Sequence, residues 1–389
     1  MPYSPSIARG ILGKTRYSYN PTLNADKTKG MYIKASPFDG LAFFAFDAVN
    51  LQMTALETTS TLDFNDARWH NTSPNLTIGH AILGRSIIIR DITGATSDVT
   101  YAMDATFPSN GYIFQFSTSE NHDVFAFTVK RSDGPEGVIY TNIGYGYIKT
   151  NGEQGYFALT TVDEVQINRT GNKIVIKDTA RKVYIRDIPG SSIFTLNPGS
   201  EDFPGHSDVG ANYIVGYSDM TGPGGAIYAW ALADGARSSA WYAFPDYSQG
   251  VHVALGSGTE TEVVLSTYKV NGDPTPGDPV INEVFRLTSA GVITHILSHL
   301  SAFNDFYWGA PRADWSRPQD TPNDFICLTS NFGGVGTYEV VIVRASNPED
   351  PPDPGGGGGT PAESPAILTF AVLKQALLAR LGNSTFWTD

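Results

Sequence analysis

A single cysteine, Cys327, stands in 389 residues, so a disulfide framework within the chain is excluded. It lies in the alternating apolar run DFICLTSN and reads as a small core side chain, not a nucleophile. Clusters of lysine and arginine are also missing, and the formal net charge is −13. That balance excludes the basic footprint of a nucleic-acid-binding surface and disfavours an anionic membrane surface as a partner. No stretch approaches the roughly 20 apolar residues of a membrane-spanning helix, so membrane insertion is not expected. The opening MPYSPSIARGILGKTRYSYNP lacks the apolar centre of a secretory signal.

Complete catalytic and cofactor motifs are likewise missing. There is no CxxC, HExxH, P-loop or EF-hand pattern, and no cofactor is expected. The nearest approach to a hydrolase G-x-S-x-G elbow is GHSDV at 205–209, where valine replaces the glycine of the tight turn. Sialidase-type boxes are absent as well; SDVGANY is a poor match to them.

What the chain does have is glycine (40), proline (24), and apolar residues at 41%, with aromatics at 12%. These suit a large core built from many short elements joined by turns. Two segments nearly repeat: RSIIIRDI begins at residue 85 and RKVYIRDI at 181. Each alternates and is β-branched, with Arg and Asp at its exit, as in a strand running into a turn. A second echo pairs ARWHNTSPNLTI (67–78) with ADWSRPQDTPNDFI (313–326). One unit of polar turn, apolar strand, loop and strand recurs around 38–48, 74–91, 119–143, 165–187, 206–232, 250–270 and 311–345. Repeats of this length with several strands each predict an all-β fold, a seven-bladed β-propeller, because one such sheet cannot bury its faces alone and a closed ring can. The expected organisation is an N-terminal extension (1–29), the propeller (30–346), an acidic Pro/Gly-rich linker (347–364) and a C-terminal tail (365–389). The strand GMYIKAS (30–36) is expected to close the ring near YEVVIVRA (338–345).

The segments INRTGNKIVIKD and PRADWS…NDFICLTSNFGG resemble the degenerate S-x-D-G-x-x-hydrophobic repeats of bacterial propellers of the TolB and oligogalacturonate-lyase type. The resemblance spans about 30–346 and implies a fold; function has to be argued from a site. Oligogalacturonate lyases hold a divalent metal with channel histidines, which would give His206 and His252 that role. The residues themselves put a polar set at blade starts: His206, Asp208, His252, Arg312, Asp314, Trp315, Trp69 and His70. Innermost strands lie near the axis, so these are candidates for a ligand site. The alternative is that they bond the turns between strands.

After the pentaglycine, SPAILTFAVLKQALLARLGN carries helix punctuation: Ser364 caps, Pro365 opens, and Gly382 and Asn383 close. Ile367, Phe370, Leu373, Leu377 and Leu381 form one apolar stripe. An isolated helix of this length is marginal in water, so the stripe is expected to dock on a neighbouring subunit. These features together predict a non-enzymatic structural or adhesion component of a large assembly: a tailed-bacteriophage virion protein of the tail, neck or capsid surface. The partners are then other virion subunits and a cell-surface glycan. The competing readings are a polysaccharide-active propeller of lyase type and a cytoplasmic protein-binding scaffold.

Overall fold

The computed structural model describes residues 7–10, 18–34, 41–56, 64–81, 83–132, 140–190, 192–196, 203–218, 225–244, 249–255, 260–269, 283–298, 313–315, 325–330 and 339–344. Among these residues the strands form seven four-stranded antiparallel sheets. Sheets I to VI follow one another along the chain, at 18–56, 64–102, 112–158, 162–195, 207–243 and 249–298, each with its strands in sequence order. Sheet VII contains Asp314–Trp315, Phe325–Ser330 and Glu339–Arg344, and its fourth strand is Ile7–Gly10.

The middle strands read as continuous apolar runs because both of their faces are covered. Ile174, Val175 and Ile176 in sheet IV are all fully buried, as are Val263, Val264 and Leu265 in sheet VI. The outermost strands are open: Val99–Ala102 and Ile193–Thr195 are mostly exposed. The apolar side chains gather between consecutive sheets. Phe43 of sheet I meets Trp69 of II, Ile78 of II meets Phe125 of III, and Val124 of III meets Ile174 of IV. Val175 of IV then packs with Trp230 of V, Val215 of V with Phe285 of VI, and Val264 of VI with Ile326 of VII. Finally Phe325 and Cys327 of VII pack with Phe44 and Phe46 of I, which makes the arrangement cyclic. Cys327 is buried in that last layer, as its apolar surroundings in the sequence imply.

Ring closure differs from the sequence expectation. The strand Lys29–Lys34 does not pair with Glu339–Arg344; it is the second strand of sheet I, between Ser18–Leu23 and Leu41–Asp47. Gly30 there faces the Phe44 ring so closely that an added Cβ would lie 1.9 Å from Phe44 Cζ. The partner of Glu339–Arg344 is Ile7–Gly10, in the register Ile7↔Val343, Ala8↔Ile342, Arg9↔Val341 and Gly10↔Val340. Residues 1–29, expected as an extension, therefore supply two strands of the ring.

The sequence echoes have a structural basis. RSIIIRDI and RKVYIRDI contain the third strands of sheets II and IV, Ser86–Asp91 and Val183–Asp187. Their arginines have diverged in use: Arg90 grips Asp98 through Nε (2.9 Å) and Nη2 (2.6 Å), whereas Arg186 lies 3.9 Å from the Phe157 ring centroid and donates to Tyr145 Oη at 2.8 Å. The acidic linker and the expected tail helix lie outside the described residues.

Candidate functional site

One turn recurs between first and second strands. Asn24, Ser119 and Asn168 each open it, and the residue three positions later takes a left-handed backbone: Lys27 (φ 57°), His122 (φ 59°) and Gly171 (φ 73°). This is a type I turn followed by a left-handed residue, a common hairpin connection. The side chain of the first residue holds it. Asn24 Oδ1 accepts from the N–H of Thr28 (3.0 Å) and Lys29 (2.9 Å). Asn168 Oδ1 accepts likewise from Asn172 (3.0 Å) and Lys173 (2.9 Å), and Ser119 Oγ from Asp123 (3.2 Å) and Val124 (3.1 Å).

The same turns tie each sheet to the next. Asn24 Nδ2 donates to Pro74 O (2.8 Å), joining sheets I and II. Asn71 Nδ2 donates to Glu120 O (2.8 Å), joining II and III. Glu120 N donates to Arg169 O (2.9 Å) between III and IV. Asn168 Nδ2 reaches Ala211 O (2.9 Å) and Arg169 N reaches Gly210 O (3.0 Å), between IV and V. Arg169 Nη2 continues to Leu255 O (2.9 Å) in sheet VI, and Glu260 receives Asn212 N (2.8 Å) and Asn212 Nδ2 (2.9 Å). These bonds form a girdle of turns running from sheet I to sheet VI on one face. Asn24, Asn168 and Arg169 are buried, so a bond lost here leaves polar atoms without water to replace it.

Several candidates from the sequence belong to this girdle or to its supports. Asp208 Oδ2 accepts from Leu255 N (2.9 Å) and its Oδ1 from Val209 N (2.8 Å), so its carboxylate links the first strands of sheets V and VI. Trp69 is buried, packs edge-on against Phe43 (5.7 Å) and donates from Nε1 to Thr22 O (3.2 Å). Trp315 is buried between sheets VI and VII, with the Arg286 guanidinium 5.5 Å from its ring. Asp314 contributes a strand position opposite Cys327. Arg312 and the stripe Ile367, Phe370, Leu373, Leu377 and Leu381 lie outside the described residues.

Two separate histidine pairs form: one joins two candidates, and the other joins the candidate His70 to His122, which the sequence did not single out. His70 meets His122, with ring centroids 4.6 Å apart. His206 meets His252 at 4.4 Å, with the planes inclined by 58°. His206 is exposed and His252 half-buried. Withdrawal from water, and secondarily the neighbouring His206, pushes His252 down to about 3. His295 moves the other way, because its hydrogen bond with Glu283 favours the imidazolium. In a histidine-resolved NMR titration, the His252 ring is therefore expected to stay neutral at pH 5 while His295 becomes charged first. A depressed folded-state value means that His252 supports the fold fully above about pH 6.5. That support is lost as pH falls from there toward 3. His295 contributes below about 6.5 and loses its contribution as pH rises through its own raised value.

The sequence reading missed Asn24, Asn71, Ser119, His122, Asn168, Arg169 and Glu260. The available signal was an Asn or Ser followed three residues later by a left-handed residue, visible in the TGN of INRTGNK but disguised by Lys27 and His122 elsewhere.

No protein-family model matches this chain, and no curated protein matches it by sequence. Solved structures do resemble it. An oligogalacturonate lyase in complex with manganese aligns with TM-score 0.60 at 12% identity, over 88% of this chain and 96% of that one. The Cps50 (Swd1) β-propeller domain of Myceliophteria thermophila aligns with TM-score 0.53 at 11% identity, over 88% of this chain and all of that one (100%). At these identities the likeness shows the fold: the chain is an all-β protein, a β-propeller.

The manganese of the first structure sets a test for the His206–His252 pair. The pair offers imidazole nitrogens, and the two oxygens of Asp208 are already engaged by backbone N–H groups. No group of three His, Cys, Asp or Glu side chains placed to hold a metal occurs among the described residues. The described residues therefore do not fit a manganese centre.

Proposed function

We propose that this chain is a non-catalytic, seven-bladed propeller serving as a structural or adhesion component of a large assembly, a tailed-phage virion, and that its C-terminal segment fastens it to a neighbouring subunit. The observation that carries the non-catalytic part is the use of Asp208. The carboxylate that would complete a site with His206 and His252 instead bridges two innermost strands. Trp69, another candidate, is likewise committed to Thr22 O. Seven sheets with seven apolar layers between them support the blade count. The part concerning the assembly rests on the sequence: a pentaglycine followed by a capped segment whose apolar stripe needs a covering surface. Blade loops facing outward would then meet a partner such as a glycan, as befits a fold that carries its function on loops.

The competing reading is a polysaccharide lyase, favoured by the proximity of His206 and His252. Incubation of the full-length chain with uronate-containing polysaccharides and added manganese separates the two. The expected result is no release of unsaturated products. Turnover that disappears on His206→Ala or His252→Ala would overturn the proposal.

A further inference from the structure

The second histidine pair stands within the girdle. His122 occupies the left-handed position of the Ser119 turn, and its side chain is buried. Its Nε2 accepts from Asn71 N at 2.8 Å. A backbone N–H can only donate, so Nε2 must carry a lone pair and the proton resides on Nδ1. That proton faces Thr118 Oγ1 at 3.1 Å, while the threonine hydroxyl can pass its own hydrogen to Ser119 O at 3.3 Å. The neighbouring His70 is arranged in the same sense: its Nδ1 lies 3.3 Å from Thr72 N and 3.2 Å from Thr72 Oγ1, an acceptor position toward the amide. Burial disfavours the charged form of His70. Both rings thus make their present bonds as neutral imidazoles, with centroids 4.6 Å apart.

We propose that the His70–His122 contact is a proton-sensitive joint between sheets II and III, closed when both rings are neutral and released when they are protonated. A proton on His122 Nε2 would turn the acceptor of Asn71 N into a donor pointed at a donor. A second proton on His70 would add like-charge repulsion at close range. The other link between these turns, Asn71 Nδ2 to Glu120 O, belongs to the same residue and would be strained with it. Charged groups also occur on this turn and on the turns before and after it. Glu120 and Asp123 share the turn of His122, Arg169 comes from the following turn, and Asp26 and Lys27 from the preceding one. Glu120 is 3.7 Å from Arg169, Asp123 receives Ser119 Oγ at 2.6 Å, and Asp26 is held by Thr28. Each of those three carboxylates is thus engaged within its own neighbourhood. Because withdrawal from water holds His70 below its ordinary value, release sets in only as pH falls below that value. The joint is most stable above about pH 6.5 and weakens as pH falls below it.

Residue-resolved amide hydrogen exchange on the full chain tests this, with rates corrected for intrinsic chemistry. Between about pH 7.5 and about pH 5, protection of the Asn71 amide is expected to fall roughly ten-fold, the scale of one buried hydrogen bond. The Leu255 amide, bonded to the Asp208 carboxylate, is expected to keep its protection over the same range. His122→Asn retains a residue tolerant of the left-handed backbone but removes titration at the acceptor of Asn71 N, so most of the pH dependence of Asn71 protection should disappear, the remainder belonging to His70. His70→Gln removes the second charge and should move release to lower pH; it serves if the first variant folds poorly. Constant protection of Asn71 in the wild type, or an unchanged loss in His122→Asn and His70→Gln, would overturn the proposal.

Discussion

Asn168→Ala is expected to lower the unfolding free energy by about 3–5 kcal/mol. One side chain here holds its own turn and reaches the next sheet, accepting from Asn172 N and Lys173 N and donating to Ala211 O. It is buried. Alanine leaves two amides and one carbonyl short of a partner, and a buried unsatisfied polar group costs about 1–3 kcal/mol. The turn itself also loses the brace that favours its left-handed Gly171. Asn168→Asp keeps an acceptor for the turn and loses the donor to Ala211, so it should fall between alanine and the wild type. Urea unfolding followed by far-UV circular dichroism measures all three. An alanine variant within 0.5 kcal/mol of wild type, the ordinary range for a surface change, would show that the girdle is not a stabilising element.

Removal of residues 1–10 has the larger consequence for the chain as a whole. Ile7–Gly10 pairs with Glu339–Arg344 and so joins the two ends of the sequence in one sheet. Without it, Glu339–Arg344 becomes an unpaired edge whose Val340, Val341, Ile342 and Val343 are almost fully buried in the intact ring. A long apolar edge with free N–H and C=O groups is a template for association. The truncated chain should therefore lose its monomer peak in size-exclusion chromatography and form β-rich aggregate. A monomer that unfolds at the wild-type urea midpoint would mean that closure by this strand is dispensable. The substitution Gly10→Pro makes a milder counterpart, since proline removes the N–H and resists the strand interior.

How much of this could be read in advance depended on how far burial writes itself into the residues. Strands covered on both faces are unmistakable: KIVIKD and AIYAWA have apolar runs because sheets pack on either side, and the burial follows them residue by residue. The echo of RSIIIRDI and RKVYIRDI was legible for the same reason, both being third strands in equivalent settings. The closing strand was not. IARG is short and carries little alternation, whereas GMYIKAS is a much better strand by composition and drew the assignment. Pairing partners so far apart in sequence leave no local trace.

The site was only half legible, and for a different reason. His252 lies on the first strand of sheet VI, His206 immediately precedes the first strand of sheet V, and the two do meet. Asp208 and Trp69 were singled out for polarity or aromaticity near blade starts, but such residues are also what turns and blade contacts require. Asn168 and Asn24 went unnoticed because an asparagine before a turn looks like ordinary turn chemistry. What distinguishes them is the side-chain amide left over after the turn is capped, which reaches the next sheet, and that depends on the ring.

The proposal that this propeller is mounted on an assembly makes one demand on the C-terminal segment. Ile367, Phe370, Leu373, Leu377 and Leu381 are expected to be covered by another polypeptide, and burying each large apolar side chain is worth roughly 1.5–3 kcal/mol. Three such anchors would exceed the cost of ordering a short helix and its hinge. The direct measurement compares the full chain with one ending at residue 359, by quantifying each in purified particles after equal expression, with the urea midpoint of each measured alongside. The account predicts that the truncated chain unfolds at the same midpoint and is absent from the particles. Normal incorporation of the truncated chain, or unfolding of the propeller on truncation, would contradict it.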